Sequence, residues 1–125
     1  MKYVIVMMVF LLSAKGMAQK PVLHDLKDPR MHAGCYIDGK ENPVANLSED
    51  GGALFNFTGK DELFPAMKAT KEYPEAFGNK AYKIYIKATG STKMEDTCIE
   101  EKVYSIKIVY KKKAYFYKRK GTCGC

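Results

Sequence analysis

Four cysteines, Cys35, Cys98, Cys123 and Cys125, are the residues of this sequence best suited to covalent or metal chemistry. An even number of cysteines in a short exported chain reads as a disulfide framework. A bridge between Cys123 and Cys125, separated by one residue, would close a small strained ring. Cys35 and Cys98 are therefore each expected to bond one member of the C-terminal pair. A Cys-x-Cys pair joined by Cys98, Cys35 or a histidine would alternatively suit a soft transition ion. Zinc sites carry wider cysteine spacing with a matching second pair, and redox sites carry Cys-x-x-Cys. Neither pattern occurs, so disulfides are expected, with no metal and no cofactor.

The remaining polar residues do not assemble a catalytic set. The two histidines, His24 and His32, lie in a segment without periodicity. No HExxH, GxSxG or phosphate-loop pattern is present. Glu95-Asp96 and Glu100-Glu101 are adjacent pairs, and neighbours on a strand point to opposite faces. No catalytic residue is assigned, and a non-enzymatic protein is expected. Asn46-Leu47-Ser48 and Asn56-Phe57-Thr58 match the glycosylation sequon.

The charge is unevenly placed. The whole chain is formally +7. Residues 19–101 carry a net charge of −3, whereas residues 102–125 carry eight cations and no acid. Lys107, Lys111, Lys112, Lys113, Lys118, Arg119 and Lys120 alternate there with aromatics, including Tyr115 and Tyr117. Cations interleaved with rings can hold an anionic polymer by charge and stacking. The same lysines also suit a solvated edge that discourages strand-to-strand aggregation. If the segment binds a partner, Lys107, Lys111, Lys112, Lys113, Tyr115, Tyr117, Lys118, Arg119 and Lys120 are the residues that would do so.

The first residues read as an address. Lys2 precedes ten apolar residues, Tyr3 to Leu12, and Gly16 and Ala18 occupy the small positions of a cleavage site. The run is short of the ~20 apolar residues a spanning helix needs. A signal peptide over 1–18 is expected, with cleavage after Ala18 and no transmembrane segment thereafter. This favours the periplasm or secretion, where nucleic acid is not an expected partner.

These residues need a scaffold. Residues 19–32 read as an irregular arm and 33–125 as one disulfide-linked domain. Strands are expected over Ala33–Asp38 and Gly52–Thr58, with a loop over 39–51. Lys60–Tyr73 shows apolar residues at spacings of three and four, with Asp61 as N-cap and Pro74 as the stop, which predicts a helix. Lys80–Thr89, Glu101–Tyr110 and Ala114–Arg119 alternate as strands, the last two joined as a hairpin. The expected fold is α+β: a small antiparallel sheet in the order β-β-α-β-β-β with one helix packed on one face.

Residues 57–100 resemble the C-terminal domain of the TonB family of periplasmic energy transducers. Phe57-Thr58-Gly59 precedes the expected helix, and Tyr73-Pro74-Glu75-Ala76 follows it. The strand Lys80–Thr89 then ends at Gly90, with Met94 and Ile99 on the next short strand. The resemblance implies a periplasmic module that pairs by strand addition with an outer-membrane partner. The basic hairpin and the cysteines are not part of that pattern. From the residues themselves, the expectation is a small exported binding protein, inhibitor-like or immunity-like, for an unknown protein or an anionic envelope component. An exported metal-binding protein is the other alternative.

Overall fold

Long runs with a period of two dominate the second half of the chain, and they form its longest strands. The computed structural model describes residues 20–29, 34–48, 51–93 and 98–124. The expected signal peptide, His32, Glu95-Asp96 and Cys125 lie outside the described residues. The strands are β1 (Gly34–Ile37), β2 (Ala45–Ser48), β3 (Gly52–Phe55), β4 (Glu62–Pro65), β5 (Glu75–Gly78), β6 (Tyr82–Lys93), β7 (Glu100–Tyr110) and β8 (Lys113–Cys123). Every pairing is antiparallel, in the order β4-β3-β2-β1-β8-β7-β6-β5. The two ends of this order meet through a single bridge, Ala66 with Phe77, and the amide of Met67 donates to the carbonyl of Ala76 at 2.7 Å. The result is a nearly closed, up-and-down barrel-like sheet, in which closure removes most of the open edge.

The α+β expectation is corrected: the described residues contain no helix. Residues 60–73 instead supply β4 and a loop. A helical stripe over 60–73 would place Leu63, Met67 and Tyr73 toward the core, yet Leu63 is 64% exposed and Phe64 is fully buried. Phe64 packs edge-on against Phe55 and Phe57, so the segment obeys a period of two. Pro65 fits because it ends β4 at the weakly bridged seam, where few amides are needed for pairing. Asp61 does hold amides, but across the chain: its carboxylate accepts from the backbones of Lys27 and Asp28, each at 2.8 Å. The helix implied by the TonB resemblance is absent for the same reason. Two further strands, β2 and β5, occupy the expected 39–51 loop and the segment after the expected helix.

The interior is filled by side chains. Ile37, Leu47, Phe55, Phe64, Ile84, Ile86, Tyr104, Ile106 and Ile108 form its bulk, all almost completely buried. A column of near-parallel rings, Phe55, Phe57, Tyr82 and Tyr110, runs through this core toward the β7–β8 turn, with neighbouring centroids 4.6–5.5 Å apart.

Residues 20–29 lie across the end of the barrel where the β1–β2 and β3–β4 loops emerge. The amide of His24 donates to the Asn56 carbonyl, and that of Leu26 to the Pro43 carbonyl. The Asp25 carboxylate accepts from the amides of Lys40, Glu41 and Asn42. These bonds, led by that from Glu41, hold its pKa below the usual value. Leu26 is buried completely, anchoring the arm by burial as well as by hydrogen bonds.

Cys35 and Cys123 form a disulfide between directly opposed residues of β1 and β8. This matches the expected use of the C-terminal cysteine pair. It ties the first strand to the last, at the position where an up-and-down barrel closes. Gly121 allows the same two strands to approach, since a Cβ there would overlap the Tyr36 carbonyl and the Tyr104 ring.

Candidate binding surface on the outer face of β6–β8

Strand alternation sorts the last third of the chain into two faces. Ile84 and Ile86 on β6, and Tyr104, Ile106 and Ile108 on β7, turn inward and are buried. Their neighbours therefore turn outward. The register sets Lys83 beside Val109 and Ala114, then Tyr85 beside Lys107 and Phe116, then Lys87 beside Ser105 and Lys118. Val103 and Lys120 continue the face. A row of ring, ammonium and ring thus crosses three adjacent strands, with lysines on both sides of it.

The β4–β5 loop completes this face. The Thr70 hydroxyl accepts from the Tyr73 amide at 3.0 Å, and the Thr70 amide donates to the Tyr73 carbonyl at 3.0 Å. This turn sets the Tyr73 ring 5.8 Å from that of Tyr85. The Lys107 ammonium lies 5.7 Å from the Tyr85 ring centroid and 5.9 Å from that of Tyr73. Lys87 stands 5.1 Å from the Tyr73 centroid and also pairs with Glu72 at 3.4 Å. No carboxylate lies within ion-pairing distance of Lys107 among the described residues. Phe116 is 67% exposed, a large apolar ring on the surface of a lysine-rich face.

At the tip, Tyr110 pairs with Lys113, leaving Lys111 and Lys112 as a two-residue turn. Both have positive φ, 50° and 65°. Two-residue hairpins favour such turns because their twist matches that of the strands, but asparagine and glycine usually fill them. An L-residue with a side chain costs about 1–2 kcal/mol in that conformation. The chain therefore holds two lysines at a place where other residues would be more stable. The Lys111 ammonium sits 5.4 Å from the ring centroid of Tyr110, at the end of the aromatic column.

The residues expected to bind a partner are not all brought together. Lys107, Lys118 and Lys120 share the outer face, and Lys111 and Lys112 form the tip. Lys113 starts β8 opposite Tyr110, on the inward row at the barrel mouth. Tyr115 and Tyr117 also turn inward, opposite Ile108 and Ile106. The Tyr117 hydroxyl donates to the Pro21 carbonyl, and burial raises its pKa. Arg119 is exposed, and its guanidinium donates to the Lys118 carbonyl at 3.0 Å. Sequence reasoning missed Tyr73, Lys83, Tyr85, Lys87 and Phe116 as members of one surface. The alternation of Lys80–Thr89 itself puts Lys83, Tyr85 and Lys87 on the face opposite Ile84 and Ile86. The parity of Phe116 against Tyr115 and Tyr117 was the remaining signal.

The other chemically capable residues are engaged elsewhere. Cys98 is disulfide-bonded, as are Cys35 and Cys123, so these three sulfurs are not available as thiolates. The Tyr104 hydroxyl lies 3.1 Å from the Cys123 sulfur. Its pKa is pushed up to about 12, first by burial and then by the charges of Glu75 and Glu100. Glu100 and Glu101 face opposite sides of β7, as adjacent strand residues must. No group of three metal-ligating side chains occurs among the described residues. Both sequon asparagines, Asn46 and Asn56, are buried. The Asn56 side chain is bonded to the Asp25 carbonyl and the Gly59 amide. A groove of about 450 Å³ on the outer side of β2–β4 is bordered by Ser48, Leu54, Asp61 and Leu63, and the Asp61 carboxylate there already accepts from the Lys27 and Asp28 amides.

Comparison with known protein families, with curated proteins and with solved structures finds no match for this chain.

Proposed function

We propose that this is a small exported, non-enzymatic binding protein whose β6–β8 sheet holds an anionic component of the cell envelope. The observation that carries the reading is the turn at Lys111 and Lys112, where two cations occupy positive-φ positions that asparagine and glycine would fill at lower cost. If the segment served only to solubilise an edge, lysines at unstrained positions would do as well. The tip is continuous with the outer-face lysines 83, 87, 107, 118 and 120, so an extended anion can meet several ammonium groups at once. Such contacts at an exposed surface are long-range and weakened by salt. The signal-peptide pattern and the disulfides support an exported location, which makes acidic envelope polymers the natural targets.

The test is binding of a soluble polyanion, polygalacturonate, to the full chain and to the variant with Lys111, Lys112 and Lys113 all replaced by Gln. The native chain should bind at low salt and lose affinity as salt rises, and the variant should bind more weakly. Equal binding by both proteins at every salt concentration would assign the lysines to solubility alone.

A further inference from the structure

We infer that the row Tyr85, Lys107 and Phe116 is a subsite for an acidic polysaccharide, a chain of carboxylated sugars lying across β6, β7 and β8. The inference rests on the anion-binding reading above and specifies its ligand. The three residues are directly opposed in register, one on each strand. Adjacent strands lie about 4.8 Å apart, so Tyr85 and Phe116 are set roughly 10 Å apart across the sheet, a span suited to a disaccharide. Lys107 stands between them on β7, its ammonium near the rings of Tyr85 and Tyr73 and with no carboxylate in ion-pairing distance among the described residues.

A carboxylated sugar offers what this row asks for in a single unit. Its C–H face is apolar and slightly positive, matching the negative face of an aromatic ring. Its carboxylate matches an ammonium, and partial exclusion of water by Tyr73 and Tyr85 strengthens that attraction. Lys118 flanks the row in the next register position, beside Lys87, whose ammonium already pairs with Glu72, and Lys83 flanks it toward the tip; Lys118 and Lys83 are where neighbouring carboxylates of the same polymer would fall. A polyglutamate chain would satisfy the lysines but offers Phe116 no flat C–H face to stack on. A bilayer would be met best by an apolar residue at the hairpin tip, whereas the tip is Lys111-Lys112 and Phe116 is set back along β8.

The experiment compares polygalacturonate, polyglutamate and neutral dextran by titration calorimetry at low salt. The proteins are the full chain and its Phe116→Ser and Lys107→Gln variants, each checked for native thermal unfolding. Phe116 is exposed, so its replacement leaves the core untouched. The expected result is that polygalacturonate binds most tightly and that Phe116→Ser weakens it by roughly three- to tenfold without changing polyglutamate binding. Lys107→Gln should weaken both acidic polymers. If polyglutamate binds as tightly as polygalacturonate, or if Phe116→Ser has no effect, the sugar assignment is overturned while anion binding stands. If neither acidic polymer binds, both readings are overturned.

Discussion

Lys111 and Lys112 hold a backbone conformation that their side chains disfavour, and this gives a residue-level test of their purpose. Replacing the pair by Asn-Gly should raise the unfolding free energy by about 2 kcal/mol while weakening polyanion binding. Urea unfolding and calorimetry on the same sample read the two effects, and unchanged affinity would remove the functional explanation. Glu75 offers a second test. It starts β5 opposite Ile86 and is itself solvent-exposed, yet partial desolvation of its carboxyl raises its pKa, partly opposed by Lys102. The folded state therefore binds this proton more tightly than the unfolded state. The charged carboxyl costs stability once the pH exceeds its unfolded value of 4.5, and the cost is complete above the folded pKa. Glu75→Gln should thus stabilise the protein at about pH 7 and have no effect near pH 3, and an equal gain at both would point to packing instead. Individual residues were legible where parity could be counted. Lys83, Tyr85 and Lys87 could be assigned outward from β6 alone, whereas Tyr115 and Tyr117 needed the register with Ile108 and Ile106 to show that they turn in.

At the level of elements, legibility followed strand length. β6, β7 and β8 each run for 11 or 12 residues, long enough for alternation to declare itself, and their hairpin was readable from the short gap at Lys111. β2, β4 and β5 have four residues each. Over such a length a period of two and a period of 3.6 share most of their positions, and pairing partners decide. Residues 60–73 read as a helix because Leu63, Met67 and Tyr73 matched a stripe, but Phe64 gains more by entering the barrel beside Phe55 and Phe57. The β1–β8 pairing joins the first half of the barrel to the second, and Cys35–Cys123 spans 88 residues of sequence. Restricting so long a loop in the unfolded chain contributes about 4–5 kcal/mol in the chain-entropy account. The double variant Cys35→Ser, Cys123→Ser should lose about 2–5 kcal/mol in urea unfolding. A loss below that range would mean that the β1–β8 hydrogen bonds and Ile37 hold this pairing unaided.

For the whole molecule, the fold changes what the charge distribution means. By sequence the cations belong to residues 102–125, and the preceding segment is acidic. In the barrel, Lys83 and Lys87 from that acidic segment join Lys107, Lys118 and Lys120 on one surface, while Lys113 and the two tyrosines of β8 face the other way. The basic unit is therefore a sheet face assembled from three strands, and the aromatic groups within it are Tyr73, Tyr85 and Phe116. A neighbouring anion would feel this face as a cluster of ammonium groups, which is why salt is the appropriate probe. The most direct test is the affinity of the full chain for polygalacturonate measured from low to high salt, beside the variant with Lys107, Lys118 and Lys120 all replaced by Gln. Affinity should fall steeply with salt for the native chain, and the variant should bind more weakly with a shallower salt dependence. An affinity that does not respond to salt, or a variant that binds like the native chain, would contradict the assignment of this face as the binding surface.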